Sequence, residues 1–136
     1  MSKGFTLIDL VIALAILAII AAFALPGYQD MVRKSRRNEA MQMMAKIQLA
    51  EEKWRINHNS YSNELAAMGF HLPSNVLKTE YGNYQIIVSA PTEAGYRITA
   101  SAIIGSPQAL DQGCTTLALV INNKQATASP TACWSK

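Results

Sequence analysis

An apolar stretch near the N-terminus constrains this chain more than any other feature. No charged residue occurs from Leu10 to Leu25, and counted from Phe5 the stretch is 21 residues long with Asp9 as its only charge. As a helix it would be about 30 Å long, enough to cross the hydrocarbon core of a bilayer. A buried core helix of this kind would need a much larger protein around it. The sequence therefore predicts a membrane-spanning helix that carries one costly carboxylate.

Two cysteines near the C-terminus favour an oxidising compartment. Cys114 and Cys133 are the only cysteines of the chain, and no C-x-x-C spacing accompanies them. An even pair in a small, exported-looking domain is more typical of a disulfide than of a metal site. A bridge that closes a loop of about 20 residues would stabilise the fold by about 3 kcal/mol. Two unpaired buried thiols are the alternative.

The charges that flank the apolar stretch point the other way. The run RKSRR at 33–37 follows it, whereas only Lys3 precedes it, and the positive-inside rule would place the remainder in the cytoplasm. Residues 1–4 are too short for the charged region of a usual secretory signal, and no A-x-A-like site follows the apolar run.

For the RKSRR run we expect contact with phospholipid headgroups as the first possibility and contact with acidic residues of a neighbouring subunit as the second. Phosphate binding would need interleaved aromatic residues, and this run has none.

The N-terminal residues carry a resemblance that resolves this conflict. The chain resembles type IV pilins and related pseudopilins in Gly4-Phe5-Thr6-Leu7-Ile8-Asp9-Leu10, in the Ala/Ile/Leu-rich span that follows, and in Pro26 with Tyr28. The resemblance implies that a prepilin peptidase cuts between Gly4 and Phe5 on the cytoplasmic side and methylates the new amine of Phe5. It also implies that the rest of the chain faces the periplasm, in agreement with the cysteines.

The same resemblance suggests a role for Asp9 and for Pro26. In a filament of packed N-terminal helices, Asp9 would pair with the Phe5 amine of an adjacent subunit, since two charges in a low-dielectric bundle are tolerated as a pair. The family usually has Glu at this position, and Asp is one methylene shorter. An Asp near the membrane surface with no partner is the alternative. Pro26 predicts a helix kink, or else a helix end followed by a second helix.

Residues 29–57 contain no Gly or Pro and are rich in good helix formers, so they predict a continuing helix. One apolar stripe along it should pack on the rest of the domain; its members are Ala40, Met43, Met44, Ile47, Ala50 and Trp54. A second, weaker stripe would be partly exposed in a monomer and suits contact with neighbouring subunits; it comprises Met41, Ala45, Leu49 and Ile56.

The remaining residues predict a small antiparallel sheet. After a connection in which Ser62 or Asn63 caps a helical turn that Gly69 ends, strand patterns occur at 84–89, 96–103 and 116–122, with a weaker one at 125–128. Three or four antiparallel strands packed on the helical stripe would make a two-layer α+β fold. The predicted core residues of the strands are Ile86, Val88, Ile98, Ala100, Leu117, Leu119 and Ile121.

The C-terminal part resembles minor pilins of Gram-negative bacteria. The matching residues are Tyr96, Ile98, Ala100, Gln108, Asp111, Gly113-Cys114 and Cys133-Trp134. The disulfide would tie the last segment back onto the sheet. In some members this loop makes adhesive or nucleic-acid contacts. In this chain Lys124 is the only charged residue between Cys114 and Cys133, so a contact with phosphate would need Arg97, Lys136 or a neighbouring subunit. The net charge of +3 does not by itself indicate binding to nucleic acid.

These observations predict a building block and not an enzyme. No nucleophile elbow, phosphate loop or metal-ligand spacing is present in the sequence, and nothing in it calls for a cofactor. The expected organisation is a leader at 1–4, a transmembrane and assembly helix at 5–28, a stalk helix at 29–57 and a globular head at 58–136. We expect a single-pass inner-membrane protein, with a cytoplasmic N-terminus and a periplasmic head, that later joins an extracellular pilus.

Its function would be that of a pilus subunit, first of all a minor pilin with a role in assembly, motility, adhesion or DNA uptake. A major pilin, a type II secretion pseudopilin and a filament-displayed receptor for DNA or a surface are the alternatives. The implied partners are other pilins, the prepilin peptidase, the inner-membrane assembly platform and membrane lipid, with DNA as a further candidate.

Overall fold

The structure, a computed structural model, describes residues 6–72 and 74–134, and these fall into two compact units. The first unit ends at Lys34 and the second begins at Ser35. One helix, α1 (Leu7–Asn57), contributes to both. The second unit, called the head below, therefore contains the C-terminal part of α1 as well as the strands.

The first unit presents apolar side chains on all sides of α1. Every large apolar side chain from Leu7 to Leu25 is more than half exposed. Within the described residues, α1 is the one helix that is long and apolar enough to cross a membrane. The helix continues through Pro26, so the alternative of a helix end at this residue is wrong. The predicted kink stays a prediction.

The head contains an antiparallel meander. Its strands are β1 (Leu77–Lys78), β2 (Tyr84–Ser89), β3 (Gly95–Ala102), β4 (Thr116–Asn122) and β5 (Gln125–Ser129), in the order β1-β2-β3-β4-β5. The predicted α+β fold is confirmed. Four strands correspond to the predicted patterns, and β1 is an additional one; it is a two-residue edge strand without a hydrophobic alternation that could reveal it.

The core lies between α1 and one face of the sheet. Ala40, Met44 and Ile47 of the predicted helical stripe are fully buried, whereas Met43, Ala50 and Trp54 flank it and are partly exposed. All seven predicted core residues of the strands are buried. In the second stripe, Leu49 and Ile56 are exposed, as expected for a monomer.

Three short 3-10 helices lie in the connections of the described residues. The first, Leu65–Met68, ends at Gly69, which has the left-handed φ of 93°. Its N-cap is Glu64, while Ser62, one of the two predicted caps, accepts the Glu64 N–H through its hydroxyl oxygen at 3.0 Å. The other two, Pro107–Leu110 and Thr131–Cys133, lie on either side of the β4–β5 hairpin in sequence.

Candidate assembly motif and nucleic-acid interface

Residues 4–10, which carry the resemblance to pilins, are called the assembly motif here. The structure describes this motif from Thr6 onward, because Gly4 and Phe5 lie outside the described residues. Thr6 immediately precedes α1, and its hydroxyl and backbone N–H both donate to the Asp9 carboxylate, at 2.7 and 3.0 Å. The Asp9 N–H donates in return to the Thr6 hydroxyl oxygen at 3.4 Å. This reciprocal arrangement is a capping box. Asp9 is therefore partnered within its own chain, and its pairing with another subunit stays a prediction.

The Thr-x-x-Asp spacing is a sequence signal for such a cap, and the sequence analysis did not use it. It explains how one carboxylate is tolerated at the start of an apolar helix, because the cap satisfies N–H groups that the first turn leaves free.

The cysteine loop is closed. Cys114 and Cys133 form a disulfide with a Cα–Cα distance of 5.7 Å across a sequence separation of 19, so the alternative of two unpaired thiols is wrong. The Tyr84 hydroxyl donates to the Cys114 carbonyl oxygen at 2.9 Å. Burial raises the pKa of Tyr84 to about 12, so this donor keeps its proton at physiological pH. The indole N–H of Trp134 donates to the Ser129 carbonyl oxygen at 3.3 Å and returns the terminal segment to β5.

A buried ion pair joins α1 to the segment before the disulfide. Arg37 Nε lies 2.9 Å from an Asp111 carboxylate oxygen, with side-chain exposures of 14% and 7%. The side-chain amide of Gln108 donates to the same oxygen. Arg37 therefore does not face lipid headgroups as expected for the RKSRR run. Arg33 of the same run forms an exposed pair with Asp30 at 3.6 Å.

The connection after α1 is held by a carboxyl group that the sequence analysis missed. Glu51 is fully buried, and its Oε2 accepts the Ser62 N–H at 3.1 Å. Burial raises the pKa of Glu51 to about 7. The neighbouring Glu52 accepts the Tyr61 hydroxyl at 3.2 Å, and the Tyr61 ring lies 4.6 Å from that of Tyr96 on β3.

A surface at the end of α1 contains two cationic residues. We call it the helix-end surface; it comprises Arg55, Lys124 and the β2–β3 connection. Arg55 donates to the carbonyl oxygens of His58 at 2.7 Å and Glu93 at 3.4 Å, which ties the helix end to that connection. Its guanidinium also lies 5.8 Å from the ring centre of Tyr61.

The two predicted phosphate contacts, Arg97 and Lys124, lie toward the same end of the sheet but face different environments. Arg97 is exposed on the outer face of β3, opposite Ser89 and Val120. Lys124 occupies the β4–β5 turn with a φ of 66° and lines a cavity of about 550 Å³ together with Glu52 and Glu93. No ion pair to either cation is present in the part of the chain that the structure describes. The prediction that both bind a ligand is not tested by this geometry.

Comparison with known proteins identifies the family. Residues 1–25 match a family model described as the prokaryotic N-terminal methylation motif. Residues 26–118 match a model described as type IV minor pilin ComP, DNA uptake sequence receptor. The chain belongs to the type IV pilin family. Membership assigns this pilin a structural role, and its exposed apolar helix and methylation motif fit a membrane-anchored precursor of a pilus subunit.

The pilin is also similar to individual fimbrial proteins. The fimbrial protein EcpC of Eikenella corrodens is 37% identical over 101 residues, which cover 73% of this chain and 61% of that protein. The type IV major pilin protein PilE1 of Neisseria gonorrhoeae is 35% identical over 81 residues, 60% of this chain and 49% of that protein. The alignments thus cover between about half and three fifths of these relatives.

Proposed function

We propose that this pilin is a minor subunit of a type IV pilus and that its head binds DNA. The observation that carries the proposal is the match of residues 26–118, from Pro26 into β4, to the minor pilin family described as a DNA uptake sequence receptor. The mild net charge of +3, the cations of the helix-end surface and the exposed Arg97 on β3 suit a weak, salt-sensitive contact with phosphate.

Assembly follows from the N-terminal motif. In this proposal the prepilin peptidase cuts between Gly4 and Phe5 and so removes the leader at 1–4. It then methylates the Phe5 amine. The helix at 5–28 then leaves the inner membrane and packs with other pilins, where Asp9 exchanges its Thr6 contacts for the amine of a neighbour. Small side chains such as Ala13, Ala18 and Ala22 permit a close approach of these helices. The stalk at 29–57 and the globular part at 58–136 remain on the periplasmic side and later on the pilus surface.

DNA binding is tested with the full-length pilin in nanodiscs of zwitterionic lipid. We expect saturable binding of labelled DNA that weakens as salt increases, and a smaller salt slope for Arg97→Gln and Lys124→Gln. Lys78→Gln is the matched control, because Lys78 is exposed on the edge strand β1. Absence of any binding at low salt contradicts the DNA-binding part of the proposal.

A major pilin is the second candidate, because the relative PilE1 is named a type IV major pilin protein. Quantitative mass spectrometry of sheared filaments separates the two. A peptide that begins with methylated Phe5 at trace level supports a minor pilin, whereas dominance over the other subunits identifies the major one.

A further inference from the structure

A groove between α1 and the first 3-10 helix lies outside the surfaces described so far. It has a volume of about 310 Å³. One wall is the last part of α1, from Lys46 to Asn57, together with the following residue His58, and the other is formed by Ala67 and Met68. We call it the α1 groove. It adjoins the helix-end surface, because His58 lines the groove and its carbonyl oxygen accepts the Arg55 guanidinium at 2.7 Å.

The charge of the α1 groove is positive. Lys46 and Lys53 both line it and both are exposed. They are two helical turns apart on one face of α1, a separation of about 10 Å along the helix axis, so their long side chains can reach neighbouring phosphates of one strand. None of the described residues that line the groove is acidic. In this respect it differs from the cavity beside Lys124, where Glu52 and Glu93 are present.

The groove also contains a pair of stacked rings. The rings of Trp54 and His58 are parallel within 2°, with centroids 3.7 Å apart. His58 Nδ1 lies 2.9 Å from the Trp54 carbonyl oxygen, which holds the imidazole in this orientation. His58 is exposed while Trp54 is only partly so. His58 is therefore the member of the pair that is accessible to a ligand.

Lysines interleaved with aromatic faces match the chemistry of single-stranded nucleic acid. Each base of a single strand offers a flat face that can stack, and its phosphates attract the neighbouring cations. In a duplex these faces are covered by the adjacent base pairs, and only edges and phosphates remain accessible. The RKSRR run lacks the aromatic component, whereas residues 46–58 have both.

We propose that the α1 groove binds an unpaired nucleotide of a DNA strand, with its base stacked on the Trp54–His58 pair and its phosphates on Lys46 and Lys53. This inference rests on the proposed DNA-binding function and names a site for it. It adds a preference, namely that single strands and frayed ends occupy the groove more readily than an intact duplex.

The test uses the full-length pilin in zwitterionic nanodiscs and follows the fluorescence of Trp54. The chain has two tryptophans, so a Trp134→Phe background leaves Trp54 as the single reporter. We expect saturable quenching by a short single strand and much weaker quenching by a blunt hairpin duplex of the same composition.

Two sets of variants then locate the contact by the binding of labelled single strands. Lys46→Gln combined with Lys53→Gln should reduce the salt slope by about 0.7 for each lost phosphate contact. His58→Ala should weaken binding about fivefold or more through lost stacking. The matched control is Lys34→Gln combined with Lys78→Gln, which removes the same charge from two exposed lysines outside the groove.

The outcomes separate this inference from the proposed function. The groove assignment is wrong, and the DNA-binding function stands, if DNA binds without quenching Trp54. The same conclusion follows if the groove variants and the control variants lose equal affinity for the labelled single strand. If no DNA binds at all, both fail. Quenching by an acidic peptide without quenching by DNA also overturns the assignment and identifies the groove as a protein contact.

Discussion

At the scale of single residues, Glu51 combines full burial with an incomplete set of hydrogen bonds. Its Oε2 accepts the Ser62 N–H, but its Oε1 has no hydrogen-bond partner among the described residues. The titratable groups that interact with it are the carboxylate of Glu52 and the hydroxyls of Tyr61 and Tyr96. Desolvation of the charged carboxylate is the largest effect on its pKa, so the folded head favours the protonated form of Glu51 more than the unfolded chain does.

This environment predicts a pH-dependent stability. The pKa of Glu51 rises from 4.5 to about 7 on folding, so its stabilising contribution is complete below pH 4.5 and is lost as pH rises through about 7. Glu51→Gln should remove that slope and make the head more stable than the natural protein at pH 8, by about 3 kcal/mol. Urea unfolding of both proteins at pH 5 and pH 8 measures the difference. Parallel pH profiles for the two proteins would contradict it.

The ion pair of Arg37 and Asp111 predicts a second effect at this scale. Arg37→Ala should destabilise the head by about 3–5 kcal/mol, because it leaves the Asp111 carboxylate buried without its cation. Arg36→Ala is the control, as it removes the same charge one residue earlier from a position without a described ion pair. Thermal or urea unfolding provides the readout. Equal losses for the two variants would show that the pair contributes nothing specific.

A replacement that removes both charges refines this result. Arg37→Met combined with Asp111→Leu should recover most of the loss, since apolar pairs of similar volume often replace buried ion pairs at little cost. If the double variant is as unstable as Arg37→Ala, the stability of the head depends instead on the Gln108–Asp111 hydrogen bond.

At the scale of elements, the pairing of β3 with β4 depends on Gly95. Gly95 pairs with Asn122, and a Cβ at this position would lie 1.9 Å from the Ile121 carbonyl oxygen. Gly95→Ala should therefore separate the two strands at this end and cost about 3 kcal/mol or more. Ala94→Ser is the control, because Ala94 is the adjacent residue and is exposed.

Hydrogen exchange distinguishes a local from a general effect of Gly95→Ala. We expect faster exchange at the β3 and β4 amides near Gly95 and Asn122, with less change at the opposite end of the same strands. Unchanged exchange at this end would mean that the sheet accommodates a side chain here.

At the scale of the whole molecule, assembly depends on what Asp9 binds once subunits meet. Asp9→Ala removes both the charge and the cap on Thr6, whereas Asp9→Asn keeps an acceptor oxygen for Thr6 and removes only the charge. We expect both variants to insert and be cleaved, and both to show reduced incorporation into filaments, because pairing with the Phe5 amine requires the charge. The ratio of this chain in sheared filaments to that in the membrane fraction measures the effect.

The comparison of the two Asp9 variants is the decisive control. If Asp9→Asn incorporates as well as the natural protein while Asp9→Ala does not, local capping is the essential role of this side chain. If both variants are incorporated normally, filament assembly requires neither the cap on Thr6 nor the pairing of Asp9 with the Phe5 amine.

Local patterns allowed most of the elements to be predicted. The end of α1 at Asn57, the strands β2, β3 and β4 and the buried strand residues follow from helix propensity, a period of two and turn residues, all of which act over a few neighbours. The disulfide was predicted because the chain has only two cysteines. The edge strand β1 was not predicted, since two residues carry no period and their pairing depends on the exposed edge of β2.

The sequence by itself determined the family, the apolar helix and the α+β class, because a specific N-terminal motif and periodic apolar residues are properties of neighbouring positions. The tertiary structure alone decided which charged groups are used inside the head. Arg37 and Asp111 are 74 positions apart in number, and Glu51 meets Ser62 only after the chain reverses beyond Asn57. Such contacts depend on distances in space and on desolvation, so a cation in RKSRR and a carboxylate in α1 appear in the sequence as ordinary surface charges.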